Sequence, residues 1–189
     1  MLSPRLLTAL AAATAAAALL AGCGAVGPKR SAVEAPTPEH AWLQQLLGEW
    51  ELRYRADMPD GEPMEWTGTE SVRALGTHWV LAESAADSQQ GSFEATLTLG
   101  YDTGRETFVA TWIDSMQTNL WTYDASLDDA RRTLSLTPTI APRPEVPDPT
   151  RYRDDIELVD PDHRILTSWY RGDDGSWQRY LMVEAHRVR

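Results

Sequence analysis

The chain has 189 residues, a formal net charge of −11 and a single cysteine. This length suffices for one domain with its own hydrophobic core. The negative charge excludes nucleic acid as a partner because phosphates would be repelled, and one cysteine excludes both an intrachain disulfide and a thiolate metal cluster.

The N-terminus has the composition of a secretory signal peptide. Arg5 is the only charged side chain in residues 1–22, and the apolar run from Leu6 to Ala21 is shorter than the roughly 18–20 residues that span a bilayer. Residues 20–23 read Leu-Ala-Gly-Cys, which is similar to the bacterial lipobox. This motif predicts cleavage before Cys23 and a diacylglycerol on its thiol. The alternative is an ordinary signal peptide that contains a cysteine.

Lipidation of Cys23 would place the protein in the cell envelope. The mature chain would be held by its acyl chains and would face the periplasm. Gly24, rather than aspartate, follows the cysteine, which favours the outer membrane over the inner one. The polypeptide itself is too negative to bind anionic lipid headgroups, so the lipid is the expected anchor.

A tether and a short helix are expected next. Residues 23–38 are rich in glycine, proline and small side chains, which predicts a flexible tether. Thr37 and Pro38 suit the N-cap and the first position of a helix. Helical spacing places four apolar side chains on one face: Trp42, Leu43, Leu46 and Leu47. Gly48 then ends the helix, and the folded domain is expected over residues 39–189.

From residue 50 onwards the hydrophobic period changes to two. In residues 50–55 every even position is apolar and every odd position is charged, which predicts a half-buried strand. The same alternation recurs at roughly regular spacing and predicts ten strands: Trp50–Arg55, Trp66–Val72, Trp79–Ser84, Phe93–Tyr101, Thr107–Asp114, Leu120–Leu127, Thr133–Thr137, Tyr152–Val159, Arg164–Tyr170 and Gln178–Val188.

Short turns rather than helices are expected to connect these strands. Asp-Gly and Asp-Pro pairs, as at 60–61 and 160–161, supply the backbone angles of hairpin turns. We therefore expect an all-β fold, an antiparallel meander of about ten strands that closes into a barrel and so leaves no exposed edge. The connection Pro138–Pro149 holds five prolines. Its length suits either a functional lid or a simple excursion.

Several short motifs resemble one family of bacterial proteins. They are EHAWL at 39–43, GEW at 48–50, TGTESVR at 67–73, LGYD at 99–102, TWIDSM at 111–116, YRD at 152–154, HRILTS at 163–168 and GDDGSW at 172–177. In this order they resemble the DUF1579 family, from about His40 to the C-terminus. The resemblance implies a lipocalin-like or fatty-acid-binding-protein-like barrel, and it carries over no catalytic residue.

The eight tryptophans are an unusual load for a domain of this size. Strand parity places six of them on the more apolar faces: Trp50, Trp66, Trp79, Trp112, Trp121 and Trp169. They either fill the core or line a cavity, since barrels of this strand number can enclose a ligand. Our candidate ligand-binding tryptophans are Trp66, Trp112, Trp121 and Trp169.

Three carboxylates share these predicted inward faces. Glu70, Asp114 and Asp154 alternate with apolar residues, and a buried acid needs a partner or a wet cavity. Arg73 or Arg179 could supply the partner from neighbouring strands. The alternative places the acids at the rims of the barrel, which suits Asp114 best. We include all three acids among the candidate ligand-binding residues.

Metal and catalytic signals are weak. No two histidines have metal-site spacing, and no nucleophile elbow, calcium loop, phosphate loop or dinucleotide fingerprint occurs. Nitrobindin-like haem barrels use a histidine near the C-terminus, where this chain has His186. Their glycine-rich opening is absent from residues 48–54, which weakens that similarity. We therefore expect no cofactor and name no catalytic residue.

Three hypotheses on function remain open after the sequence alone. The favoured one is a lipid-anchored barrel that binds a small apolar ligand in a Trp-lined cavity. The second is a haem-binding or enzymatic barrel that uses the same cavity. The third is a non-binding scaffold with a solid interior. The sequence makes no prediction of the oligomeric state.

Overall fold

The computed structural model describes residues 33–58, 61–88 and 91–188. The predicted signal peptide, Cys23 and the tether up to residue 32 lie outside this range. Among the described residues no helix has the length and apolar character needed to cross a membrane. The first helix, α1, runs over Pro38–Leu43 and continues into a 3₁₀ turn, Gln44–Leu46.

Ten strands follow in the described residues, one for each predicted segment. Their bounds are β1 Gly48–Ala56, β2 Met64–Leu75, β3 Trp79–Ser88, β4 Gly91–Asp102, β5 Thr107–Asp114, β6 Trp121–Leu127, β7 Thr133–Pro138, β8 Tyr152–Asp160, β9 His163–Arg171 and β10 Trp177–Arg187.

The strands form a closed antiparallel barrel. Each strand pairs with the next in sequence, and β1 also pairs with β10. In this closing pair Trp50 lies opposite Arg187, and Ala56 lies opposite Leu181. Closure leaves no free edge, so every strand has a neighbour on both sides. The predicted ten-stranded meander with one short N-terminal helix is confirmed.

Helix α1 plugs one end of the barrel. The Trp42 ring packs edge-on against Phe108, with 5.9 Å between centroids, and its indole N–H donates to the Arg131 carbonyl at 2.9 Å. Arg131 in turn forms an ion pair with Glu39 at 3.4 Å. Leu43 is fully buried. The helix is thus fastened to the β6–β7 turn and covers the adjacent interior.

The barrel interior is packed at the plugged end. Several large apolar side chains there are almost completely buried: Trp50, Val80, Leu99, Leu134 and Ile156. Because the meander alternates direction, the odd-numbered strands start at this end and stop at the opposite end. The opposite end, called the mouth below, therefore carries the β5–β6 and β7–β8 connections.

The proline-rich connection lies at the mouth. Arg143 and Val146 exchange two backbone hydrogen bonds of 3.0 Å, which fold the segment back on itself, and Val146 is buried. Within Pro138–Pro149, Pro138 alone is among the described residues that line the cavity. The contacts favour an excursion over a lid.

Two of the six tryptophans that parity places inward lie on the outer wall, and Trp79 is the first of them. Trp79 is 39% exposed, whereas Val80, Ala82 and Ser84 on the same strand are buried. Its ring lies on the outer wall over Gly100, the residue opposite it on β4, where any side chain would overlap the ring. The prediction of an inward Trp79 is therefore wrong.

Candidate functional site

A cavity of about 300 Å³ extends from the mouth into the barrel as far as Glu70 and Arg164. Much of its wall is aromatic, with seven rings: Tyr54, Phe93, Trp112, Trp121, Tyr123, Tyr152 and Tyr180. Aliphatic side chains such as Leu97 and Val183 complete the wall. The volume lies at the lower end of the roughly 300–1,000 Å³ found for small-molecule pockets.

A buried ion pair lies deep in the cavity. Glu70 on β2 accepts hydrogen bonds from the Arg164 guanidinium on β9 and from the Ser84 hydroxyl on β3, the latter at 3.0 Å. The guanidinium also lies 4.6 Å from the centroid of the Trp50 ring. Burial lowers the pKa of Arg164 to about 10, so the guanidinium is still charged at neutral pH beside the Glu70 carboxylate.

This partner differs from the two that we predicted. Arg73 forms an exposed ion pair with Glu83 at 3.6 Å, and Arg179 pairs with Asp57 at 2.8 Å. Both predictions were wrong. The inward guanidinium is Arg164, a residue that sequence reasoning passed over because an isolated arginine in a strand usually faces solvent.

The second inward acid, Asp154, is half-buried, and its partners among the described residues are hydroxyls rather than a cation. It faces inward on β8, opposite Ser168 on β9, and it shares hydrogen bonds with the hydroxyls of Ser168 and Tyr123. Burial raises the pKa of Asp154 to about 6; the charge of Asp155 adds to this effect, and the two hydroxyl hydrogen bonds oppose it. Burial, and then the charge of Asp154, raises the pKa of Tyr123.

A β-bulge brings Tyr180 close to Ser168, one of the partners of Asp154. The register between β10 and β9 shifts between Arg179 and Leu181, so that Tyr180 and Leu181 both line the cavity despite being neighbours in sequence. The Tyr180 hydroxyl shares a hydrogen bond with Ser168. Bulges re-aim side chains in this way. The signal was present as the apolar run at 180–183, which breaks the alternation.

The third acid, Asp114, lies at the mouth and shapes the rim. Its carboxylate accepts hydrogen bonds from the Trp112 indole at 3.1 Å and from the backbone amides of Met116 and Gln117 at 2.8 and 2.9 Å. These bonds fasten the start of the β5–β6 turn and orient the Trp112 ring. Asp114 and Trp112 both line the cavity.

Trp121 is central to the aromatic wall. Its ring centroid lies 6.3 Å from those of both Tyr123 and Tyr152. It therefore lies between Tyr123, a partner of Asp154, and Tyr152 at the mouth. As predicted, Trp121 lines the cavity.

Two other candidate tryptophans do not line the cavity. Trp66 faces inward but stacks flat on Tyr54, with 4.9 Å between centroids, and this ring separates it from the cavity. Trp169 lies on the outer wall, where the Arg153 guanidinium is 5.7 Å from its ring. The inward assignment of Trp169 is wrong. Strand β9 carries apolar residues on both faces, so alternation alone could not orient it.

His186 does not face the cavity either. Its ring stacks on His163, with centroids 4.4 Å apart, and the cavity side of the same strand carries Val183 and Ala185. An iron inside the barrel could not be reached from this position. In the described part of the chain no three acid, histidine or cysteine side chains are grouped as metal ligands.

Comparisons with known proteins agree with this architecture. The chain is similar to the crystal structure of Rv2717c from M. tuberculosis, with 16% sequence identity, a TM-score of 0.56, and coverage of 82% of this chain and 100% of that one. It is also similar to the S-type phycobiliprotein lyase CPES from Guillardia theta, with 11% identity, a TM-score of 0.51, and coverage of 82% and 99% respectively. At these identities the similarity shows the fold alone.

No curated protein sequence matches the chain. The model of DUF1579, a family described as a protein of unknown function, matches residues 35–187. The match covers most of the chain and the whole barrel. The chain therefore belongs to the DUF1579 family.

Proposed function

We propose that the barrel binds a small, largely apolar molecule in its cavity. The observation that carries this proposal is the empty space of about 300 Å³ behind the mouth, walled by seven aromatic side chains. A scaffold filled by its own side chains would lack this space. Tightly packed side chains that do not line the cavity, such as Trp50 and Leu99, lie toward the end that helix α1 plugs.

The size of the cavity is sufficient for measurable affinity. Removing roughly 300 Å² of ligand surface from water gains about 7.5 kcal/mol at about 25 cal/mol per Å². Immobilising the ligand offsets part of this gain. The expected dissociation constants are therefore on the order of micromolar to millimolar without any charged contact.

A fluorescence titration tests the proposal with a matched pair of variants. The mature chain carrying Cys23→Ser would be titrated with N-phenylnaphthylamine, a neutral apolar fluorophore. Trp112→Leu should weaken binding because this ring lines the cavity, whereas Trp79→Leu should leave it unchanged because that ring lies outside. Equal effects of the two variants, or no binding at all, would contradict the proposal.

We further propose that the barrel is held at a membrane through a lipid on Cys23, facing the periplasm and in the outer membrane. This part rests on the Leu-Ala-Gly-Cys motif at 20–23. The predicted tether, residues 23–38, would link this lipid to helix α1, which begins at Pro38. Such an arrangement would keep the barrel near a membrane.

A further inference from the structure

The charges that line the cavity are unbalanced. Among the described lining residues, Arg164 is the only cation, whereas there are three carboxylates: Glu70, Asp114 and Asp154. Arg164 is already engaged by Glu70. The remaining wall is therefore negative, which disfavours an anionic ligand and favours a cationic one.

Neither Asp114 nor Asp154 has a cationic partner among the described residues, but Asp114 is held at the rim by backbone amides and the Trp112 indole, whereas Asp154 lies inside the barrel. The neighbouring Arg153 points outward and pairs with Asp155 at 3.0 Å, and the groups that bond Asp154 are the uncharged hydroxyls of Ser168 and Tyr123. Leaving a charge in such a place is costly unless a partner of opposite charge is supplied. A ligand can supply that partner.

The aromatic wall suits the same kind of ligand. Trp121 lies against Tyr123, a direct partner of Asp154, and against Tyr152 at the mouth. Aromatic faces attract cations, and the attraction grows where water is excluded. A cation held by Asp154 would therefore also lie among ring faces.

We propose that the ligand is an amine with an apolar body, and that Asp154 is the counter-ion of its ammonium group. The inference rests on the proposed function and names the chemical class of the ligand. The apolar body would lie against aliphatic side chains such as Leu97 and Val183. The ammonium group would donate hydrogen bonds to the Asp154 carboxylate and displace part of its hydroxyl network.

The proposal predicts that the affinity for the amine depends on pH. Only ionised Asp154 would pair with the amine, and burial raises the pKa of this carboxyl to about 6. Binding should therefore weaken as the pH falls through 6, by about tenfold between pH 7 and pH 5, because apparent affinity scales with the fraction of competent protein.

We assign the weaker binding at low pH to Asp154 because of the groups that surround this carboxyl. They are Leu136 on β7, Ser168 on β9, Tyr123 on β6, Tyr180 on β10 and the outward Asp155 beside it. Asp114, on β5, acts on Tyr123 from the rim. No histidine is among the described residues that line the cavity.

Three matched naphthalenes test the proposal by calorimetry on the mature chain carrying Cys23→Ser. They are naphthylmethylamine, methylnaphthalene and naphthoic acid, which share a ring and differ in charge. At pH 7.5 the amine should bind at least tenfold more tightly than the acid. Asp154→Asn should abolish this preference and leave methylnaphthalene binding unchanged. Asp155→Asn, which removes a carboxylate from the outer wall one residue away, should keep the preference.

Each outcome decides one of the two proposals. If the neutral ring and the acid bind as well as the amine, or if Asp154→Asn keeps the preference, the amine proposal is overturned and the cavity proposal stands. If no compound binds, both are overturned. Should Asp154→Asn fail to fold, the unaltered cavity still decides: an amine affinity that is equal at pH 5 and pH 7 overturns the role of Asp154.

Discussion

Replacing Arg164 by methionine keeps most of the length of the side chain but removes the charge that faces Glu70. Both side chains are nearly buried, with 7% of Arg164 and 10% of Glu70 exposed. Breaking such a pair by removing one partner costs about 3–5 kcal/mol, since the remaining charge is left uncompensated. Loss of the contact with the Trp50 ring, 4.6 Å away, adds about 0.5–1 kcal/mol.

We therefore expect Arg164→Met to lower the free energy of unfolding by about 4 kcal/mol or more, a large share of the 5–15 kcal/mol typical of a domain. Urea denaturation followed by circular dichroism measures this change. Adding Glu70→Gln should restore much of the stability, because the orphaned charge is then removed and the amide oxygen can still accept from Ser84.

The exposed pair on the outer wall supplies the control. Arg73 and Glu83 lie 3.6 Å apart, and both side chains are 55% exposed, so Arg73→Met should change the free energy of unfolding by about 1 kcal/mol or less. If Arg164→Met costs no more than Arg73→Met, the reasoning about the buried pair is refuted.

Three further predictions concern acidity, the plug and the anchor. The folded pKa of Asp154, about 6, lies above its ordinary value of 3.8, so the contribution of this carboxyl to stability should fall by about 2 kcal/mol as the pH rises from 4 to 6. Urea titrations at the two pH values should show this fall as a difference between the unaltered chain and Asp154→Asn. Trp42→Ala removes the packing on Phe108 and the hydrogen bond to Arg131 and should cost about 3–5 kcal/mol in the same assay. Cys23→Ser should abolish labelling by a palmitate analogue; equal labelling would contradict the anchor.

The fold could be predicted because apolar and polar residues alternate regularly along the strands. Residues 50–55 show the pattern in its simplest form, and β1 extends over Gly48–Ala56 with the even side chains buried. Ten such segments joined by short connections leave a closed meander as the arrangement without exposed edges. The position of the helix followed from Thr37 and Pro38, which lie at the N-cap and the start of α1.

Much of the site could not be predicted from the sequence, because its key residues depart from the simple alternation of apolar and polar side chains along a strand. Trp79 and Trp169 lie on strands where both faces carry apolar residues, so the side of the barrel depends on register with neighbours. Arg164 is a charge on an inward face, whose partner Glu70 is distant in sequence. Tyr180 faces the cavity through a bulge, which strict alternation excludes by assumption.

The most direct test of the ligand-binding cavity is a nuclear magnetic resonance titration with methylnaphthalene, observing the indole N–H signals of the mature chain carrying Cys23→Ser. The signals of Trp112 and Trp121, which line the cavity, should shift in a saturable manner. Those of Trp79 and Trp169, on the outer wall, should stay in place. Shifts confined to the outer-wall indoles, or no saturable shift of Trp112 and Trp121, would contradict a ligand-binding cavity in this barrel.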